Sequence, residues 1–189
     1  ALDIPYHAGD SKYFDRNNDG KITDEDRMDL GSSIPWLNYG LNFGAWWKGF
    51  DLQLFFQGVG GNKIYNMKRA FLESDGTSSV ISPVMKDAWT KDNPNGTIAN
   101  PRNSINYEIS DRFLEDGSYF RLKNVQLGYS LPSKVLKPAG FQNCRFYVQA
   151  SNLFTLTKYT GYDPEVSGGV DYGNYPQSRT FIFGVNIVF

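Results

Sequence analysis

An acidic stretch near the start of the chain has the residue types and the spacing of a metal-binding loop. It reads Asp15-Arg16-Asn17-Asn18-Asp19-Gly20-Lys21-Ile22-Thr23-Asp24-Glu25-Asp26. Calcium takes roughly six to eight hard oxygen ligands, and twelve-residue loops supply them from positions 1, 3, 5, 7 and 12, with a glycine at position 6. The corresponding ligands here are Asp15, Asn17, Asp19, the carbonyl of Lys21, and Asp26. The spacing therefore predicts a calcium site.

The last ligand position sets the expected character of this site. Asp26 stands where many EF-hand loops have a bidentate glutamate, and Thr23 stands where a water is often held. The shorter carboxylate is similar to the dockerin version of the loop, although a dockerin carries the loop twice and this sequence has one copy. We expect an EF-hand-like structural site and not a sensor. The alternative is a solvated acidic turn that binds nothing.

Composition excludes several functional classes. The chain has 189 residues and a net charge of −1, from 19 basic and 20 acidic side chains, so it lacks the basic excess that binds nucleic acid. Cys144 and His7 are its only cysteine and histidine, which leaves no disulfide framework or histidine-based catalytic site. No apolar run approaches the roughly 18 residues of a spanning helix. A membrane barrel remains open, since its strands alternate.

Alternation of apolar and polar residues predicts about five β-strands. Residues 35–64 form a hairpin pattern around Lys48-Gly49, with apolar residues at every second position of both arms. Further strands are predicted over 118–132, 145–153 and 180–189. The apolar phase slips within 118–132, and a bulge near Lys123-Asn124 would restore it.

Two all-β architectures are compatible with these strands. Outer-membrane barrels have at least about 8 strands, so five strands are either one piece of a larger barrel or part of a soluble β-sandwich. The stretch 180–189 is a long apolar strand, which soluble proteins avoid at a sheet edge because it templates aggregation. We favour the barrel. The alternative is a calcium-stabilised sandwich that binds carbohydrate.

Neighbouring carboxylates raise the question of an enzyme. The pairs Glu73/Asp75 and Glu115/Asp116 could suggest a glycosidase, which needs two acids at a defined separation and an apolar pocket for one of them. Adjacent acids in polar loops are more often solvated, and we expect that here. No catalytic residues are therefore assigned, and we expect a protein that is not an enzyme.

Several motifs in order give the sequence a family resemblance. They are DRNNDGKITDEDR, KGFDLQLFFQG, DRFLEDGSYFRLKNVQLGYSLP, ASNLFTLTKYTGYDPEV and YPQSRTFIFGVNIVF. On these motifs the chain resembles the C-terminal portion of the SusC/RagA family of TonB-dependent outer-membrane transporters.

The resemblance implies a fold, a location and partners. The fold is the last strands of a large antiparallel transmembrane β-barrel with long extracellular loops, in the outer membrane of a Gram-negative, Bacteroidota-type cell. The partners are a SusD-like surface lipoprotein, the remaining N-terminal barrel and plug, TonB acting through that plug, and outer-membrane lipid. Residues 1–34 would be an extracellular loop with the calcium motif, and 35–189 a single partial barrel domain. The function implied is import of large nutrients, either glycans or peptides.

Overall fold

The computed structural model describes residues 6–73, 82–101, 106 and 108–189. These residues contain seven strands and two short α-helices. The strands are β1 (Leu37–Trp47), β2 (Phe50–Gly60), β3 (Lys63–Tyr65), β4 (Leu114–Asp116), β5 (Tyr119–Ser130), β6 (Asn143–Thr157) and β7 (Thr180–Val188). The helices are α1 (Met67–Leu72) and α2 (Ser133–Leu136). None of the described helices is long and apolar enough to cross a bilayer.

The chain divides into two compact units. The first contains residues 1–31, 65–115 and 170–173, and the second contains 32–64, 116–169 and 174–189. The second unit is built on one antiparallel sheet of five strands in the order β1-β2-β5-β6-β7. The prediction of about five strands is therefore confirmed. Four of these strands have 11 to 15 residues, and a tilted strand needs about 9–11 to cross a bilayer.

The hairpin between β1 and β2 turns where the sequence predicts it. Lys48 and Gly49 both have positive φ, at 47° and 89°. A two-residue turn with positive φ at both positions matches the right-handed twist of the strands that it joins. This turn fixes a continuous register from Trp47 opposite Phe50 to Leu37 opposite Gly60.

A bulge in β5 keeps its apolar residues on one side of the sheet. Along β2, Phe55 lies opposite Asn124 whereas the next residue, Phe56, lies opposite Leu122. Lys123 is therefore an extra residue on the β5 side, and the predicted bulge is confirmed. Leu122, before the bulge, and Val125, after it, share a face although their sequence positions differ in parity.

The two faces of the five-stranded sheet differ sharply in character. One face is apolar and largely exposed, and its exposed side chains include Leu41, Phe43, Trp47, Leu127, Phe146, Val148, Phe181, Phe183 and Val185. The other face is mostly polar. No other sheet among the described residues has more than two strands, so no second sheet covers the apolar face as it would in a sandwich. The sandwich alternative is wrong.

The described residues of the first unit form the short helix α1, several 3-10 turns and irregular segments. Asn66 caps this helix, because its side-chain oxygen accepts a hydrogen bond from the Arg69 N–H at 2.9 Å. Phe113 is fully buried in this unit and lies edge-on to the ring of Tyr65. The unit also contains the acidic loop, which ends in a 3-10 turn over Asp24–Asp26.

Candidate functional site

The structure folds the first half of the acidic loop into a tight turn held by its own side chains. Asp15 Oδ2 accepts the Gly20 N–H at 2.9 Å, and Asn17 Oδ1 accepts the Asp19 N–H at 3.0 Å. Asp19 Oδ1 accepts the Lys21 N–H at 2.8 Å. Gly20 has a φ of 79°, which a residue with a side chain rarely adopts. Four of the five predicted ligand positions thus share one turn.

Asp26 closes the loop by binding backbone amides. Its two carboxylate oxygens accept the Arg16 N–H at 2.9 Å and the Thr23 N–H at 2.7 Å. Hydrogen bonds from the backbone of Thr23 and Arg16 hold the pKa of Asp26 below its ordinary value. The carboxylate therefore stays ionised at neutral pH and joins the end of the loop to its beginning.

One carboxylate oxygen in the loop has no hydrogen-bond partner in the described part of the chain. Asp15 Oδ1 is buried and accepts no hydrogen bond from the residues that the structure describes. In the same described ranges, no three or more His, Cys, Asp or Glu side chains stand close enough together to hold a metal ion. The loop therefore has a bent backbone and one buried oxygen without a hydrogen bond. Each of its carboxylates accepts hydrogen bonds from different backbone amides.

Glu73 and Glu115 are not solvated, contrary to the prediction from sequence. Arg69 Nε donates to Glu73 Oε1 at 2.6 Å, and Arg112 Nη2 donates to Glu73 Oε2 at 2.8 Å. Glu115 accepts from the side chains of Asn66 and Arg69 at 3.1 Å and 3.4 Å. Glu73 is neutralised by Arg69, four residues before it, and by the distant Arg112. Glu115 is neutralised by Arg69. Asp75, the other member of the first predicted pair, lies outside the described residues.

A second ion network lies in the sheet-containing unit. Arg121 of β5 is only 2% exposed, and its Nη2 donates to Asp163 Oδ1 at 2.6 Å. Its Nη1 donates to Glu165 Oε2 at 2.9 Å, and its Nε donates to Thr155 of β6 at 2.8 Å. The planar guanidinium matches several acceptors at once. Arg121 therefore fastens the segment around Asp163 to two neighbouring strands.

Asp163 is ionised in this network. Burial opposes its ionisation, but hydrogen bonds from the N–H groups of Gln177 and Glu165 and from Arg121 outweigh burial. The pKa of Asp163 therefore lies below its ordinary value. The acid joins both arms of the segment between β6 and β7 to the sheet.

The lowered pKa of Asp163 predicts acid loosening of this segment. Ionised Asp163 stabilises the fold fully above its unfolded pKa of about 3.9, and the stabilisation is lost as pH falls through the lower folded value. In the whole transporter, we expect pepsin cleavage within 158–177 to increase below about pH 4. Asp163→Asn should abolish this pH-dependent increase and raise cleavage at every pH. Identical pH profiles for the two proteins would contradict the assignment.

Charged and amide side chains line the polar face of the sheet. Arg145 of β6 reaches across β5 to Asp51 of β2, with Arg145 Nη2 2.5 Å from Asp51 Oδ2. The strand between them carries Gly128 at this level, and a Cβ there would collide with both groups. Gln53, Gln126 and Gln149 lie side by side on the next row. This face can therefore hydrogen-bond to water or to a polar ligand.

Sequence reasoning missed the residues that fasten the loops. Arg121 and Lys123 were visible as basic residues within a strand, and Asp163 and Glu165 as acids in a loop. Nothing in the local pattern pairs them, because Arg121 and Asp163 are 42 residues apart. The five predicted calcium ligands, in contrast, lie within one contiguous loop, so their proximity follows from local spacing. The calcium site itself stays a prediction.

Comparison with known proteins shows a consistent set of relatives. The chain is 37% identical over 194 residues to TonB-dependent receptor P3 of Formosa agariphila, with 96% of the chain matched. It is 26% identical over 182 residues to TonB-dependent receptor SusC of Bacteroides thetaiotaomicron, with 95% of the chain matched. No family model matches the chain. The chain spans about a fifth of the length of these relatives, 19% of the first and 18% of the second.

Solved structures give the same result. A structure of the RagAB peptide importer in the closed-closed state matches 90% of the chain with a TM-score of 0.79 and 31% identity, over 19% of that chain. A structure of the RagAB peptide transporter matches 84% of the chain with a TM-score of 0.77 and 33% identity, over 18% of its own length. The matched parts are the C-terminal strands of a barrel. The chain therefore belongs to the SusC/RagA family of TonB-dependent outer-membrane transporters, as a C-terminal portion of such a protein.

Proposed function

We propose that the chain forms part of the barrel wall of an outer-membrane importer of large nutrients, either glycans or peptides. The observation that carries the proposal is the five-stranded sheet, with one apolar exposed face and one polar face. In membrane barrels the apolar face contacts lipid and the polar face lines the lumen. The exposed row through Leu127, Val148 and Phe183 is then in contact with lipid tails.

The proposal includes partners outside this chain. A SusD-like surface lipoprotein closes over the outer mouth, and TonB acts on a plug that belongs to the N-terminal part of the same transporter. The family membership and the similarity to RagAB support these partners. The loop 1–34 and the segments 65–117 and 158–177 would face the cell exterior, and the turn at Lys48-Gly49 would face the periplasm.

Deletion and purification test this function in the native bacterium. We expect deletion of the gene for the whole transporter to abolish uptake of one class in a panel of labelled oligosaccharides and peptides. The tagged transporter, purified from outer membranes, should retain a surface lipoprotein. Unchanged uptake across the panel, or purification without a lipoprotein, would contradict the proposal. The class of cargo that is lost distinguishes glycan from peptide import.

We also propose that the loop from Asp15 to Asp26 holds a structural calcium ion. The buried, unpartnered Asp15 Oδ1 supports this, because a buried charged oxygen without a partner is costly and a cation would satisfy it. The bend at Gly20 and the oxygen-rich side chains suit a hard cation. Asp15, Asn17, Asp19, the Lys21 carbonyl and Asp26 would hold the ion, which requires the three carboxylates to turn from the backbone amides that they bind in this structure. Its effect would be to stiffen the loop.

Calcium binding to the purified whole transporter tests this site. We expect Asp15→Asn to lower calcium affinity by about ten-fold or more, because it removes a charge at the first ligand position. Asp24→Asn is the matched control, since Asp24 occupies no ligand position and pairs with exposed Arg27. The measurement is radioactive calcium binding by equilibrium dialysis. Absence of binding by the wild type, or equal affinity in both variants, would overturn the site.

A further inference from the structure

Arg121 is buried on a face of the sheet that should be open. In register it lies between Gln57 of β2 and Thr155 of β6, on the polar face. A side chain on one face of a single sheet is buried only if another part of the chain lies over it, and Arg121 is 2% exposed. Its partners Asp163 and Glu165 show what covers it. They belong to the connection between β6 and β7.

This covering segment, residues 158–169 and 174–177 of the sheet-containing unit, is called here the anchored loop. Asp163 binds both of its arms, because it accepts the Glu165 N–H at 2.9 Å and the Gln177 N–H at 3.0 Å. Lys123, the bulge residue, donates to Glu165 Oε2 at 2.8 Å. The anchored loop is thus held by a buried ion pair to Arg121 and a more exposed ion pair to Lys123.

We propose that the anchored loop is a fixed constriction inside the outer mouth of the barrel, and that Arg121 is the positioning residue that holds it there. This rests on the proposed function. The polar face of a membrane barrel lines its lumen, so a loop fastened to that face narrows the passage. Segments that open as lids have few buried contacts, whereas this loop has a buried arginine–aspartate pair at its base.

The anchored loop also presents bulky side chains. Tyr162, next to the buried Asp163, is 62% exposed, and Tyr175 is 87% exposed. Aromatic rings in an exposed position can contact either a sugar ring or a peptide side chain. In this arrangement the two tyrosines add to the narrowing of the passage. The buried Arg121–Asp163 pair determines their position.

Reversible cross-linking tests whether the loop is fixed during transport. In the whole transporter, Lys123→Cys and Glu165→Cys would be joined by a short bis-methanethiosulfonate reagent. If the loop stays in place, uptake by the cross-linked double variant equals uptake by the same protein after reduction. Each variant with only one of the two new cysteines is the control for the reagent. The native Cys144 is buried and should not react with it. Loss of uptake that reductant restores would overturn the proposal.

The size limit of the cargo tests whether the loop narrows the passage. Uptake of a labelled length series, oligosaccharides or peptides as the deletion strain indicates, should extend to longer members in Arg121→Met. Lys123→Met should keep the wild-type size limit of the cargo, because the Lys123–Glu165 ion pair is more exposed and the buried Arg121–Asp163 pair remains. Tyr162→Ala/Tyr175→Ala changes only exposed side chains and should also raise the limit. It tests the constriction even if Arg121→Met fails to reach the membrane.

The outcomes separate the two proposals. No uptake of any member by the wild-type transporter overturns the proposed function. Normal wild-type uptake with an unchanged limit in the double tyrosine variant overturns the constriction alone. If the Arg121→Met transporter reaches the outer membrane but loses uptake equally at all lengths, Arg121 has a general structural role and the constriction is also overturned.

Discussion

Arginine in place of Val148 is expected to destabilise the barrel by about 2–4 kcal/mol, the cost of a basic residue on the lipid face near the bilayer midplane. Val148 lies near the middle of β6, on the apolar face between Leu127 and Phe183. Its neighbours on this face can neither pair with a guanidinium nor hydrate it. We expect this loss of stability only for an arginine on the apolar face of the sheet.

The adjacent residue provides a matched control. Gln149 follows Val148 in β6 but lies on the polar face, beside Gln126. Because the lumen is hydrated, Gln149→Arg should change the stability little. Urea unfolding of the whole transporter in detergent or lipid, followed by heat-dependent gel mobility, measures both effects. A cost for Gln149→Arg equal to that for Val148→Arg would contradict the assignment of the two faces.

The same alternation explains why the strands could be predicted from sequence. Successive side chains of a strand point to opposite faces, so an apolar face leaves a local pattern with a period of two. The bulge at Lys123 was predictable for the same reason, since an extra residue reverses the phase. The apolar face of the sheet is also a consequence of this pattern. Alternation by itself does not distinguish a barrel from a sandwich. The sequence favours the barrel through its apolar C-terminal strand and its family resemblance, and the structure confirms that prediction.

Most ion pairs of the two networks could not be predicted, because they join distant parts of the chain. Glu73 and Arg112 are 39 residues apart, and no periodicity links them. The sequence analysis expects Glu73 in solvent because adjacent acids in polar loops are more often solvated. In the structure, Arg69 pairs with Glu73 over one helical turn, and the fold brings Arg112 to it. The acidic loop was predictable as a turn since its hydrogen bonds lie within twelve residues. Its calcium ion remains a prediction.

The buried acid of the first unit gives the second large expected effect. Glu73→Gln is expected to destabilise this unit by about 2–4 kcal/mol. The side chain of Glu73 is 5% exposed and binds both Arg69 and Arg112. Glutamine keeps the size but removes the charge, so two guanidinium groups near the ring of Phe113 lose their shared carboxylate. The cost stays below that of a fully buried pair, because Arg69 keeps contact with water.

Pulse proteolysis of the whole transporter in increasing urea measures this loss of stability. Cleavage within the ranges 65–73 and 82–101 should begin at a lower urea concentration. Asp111→Asn is the matched control, because Asp111 is an exposed acid of the same unit, next to Arg112. The control should unfold as the wild type does, since an exposed carboxylate contributes little. Equal shifts in the two variants would mean that the loss of one negative charge matters and the buried network does not. A shift confined to Glu73→Gln would show that neutralisation by Arg69 and Arg112 stabilises this part of the transporter.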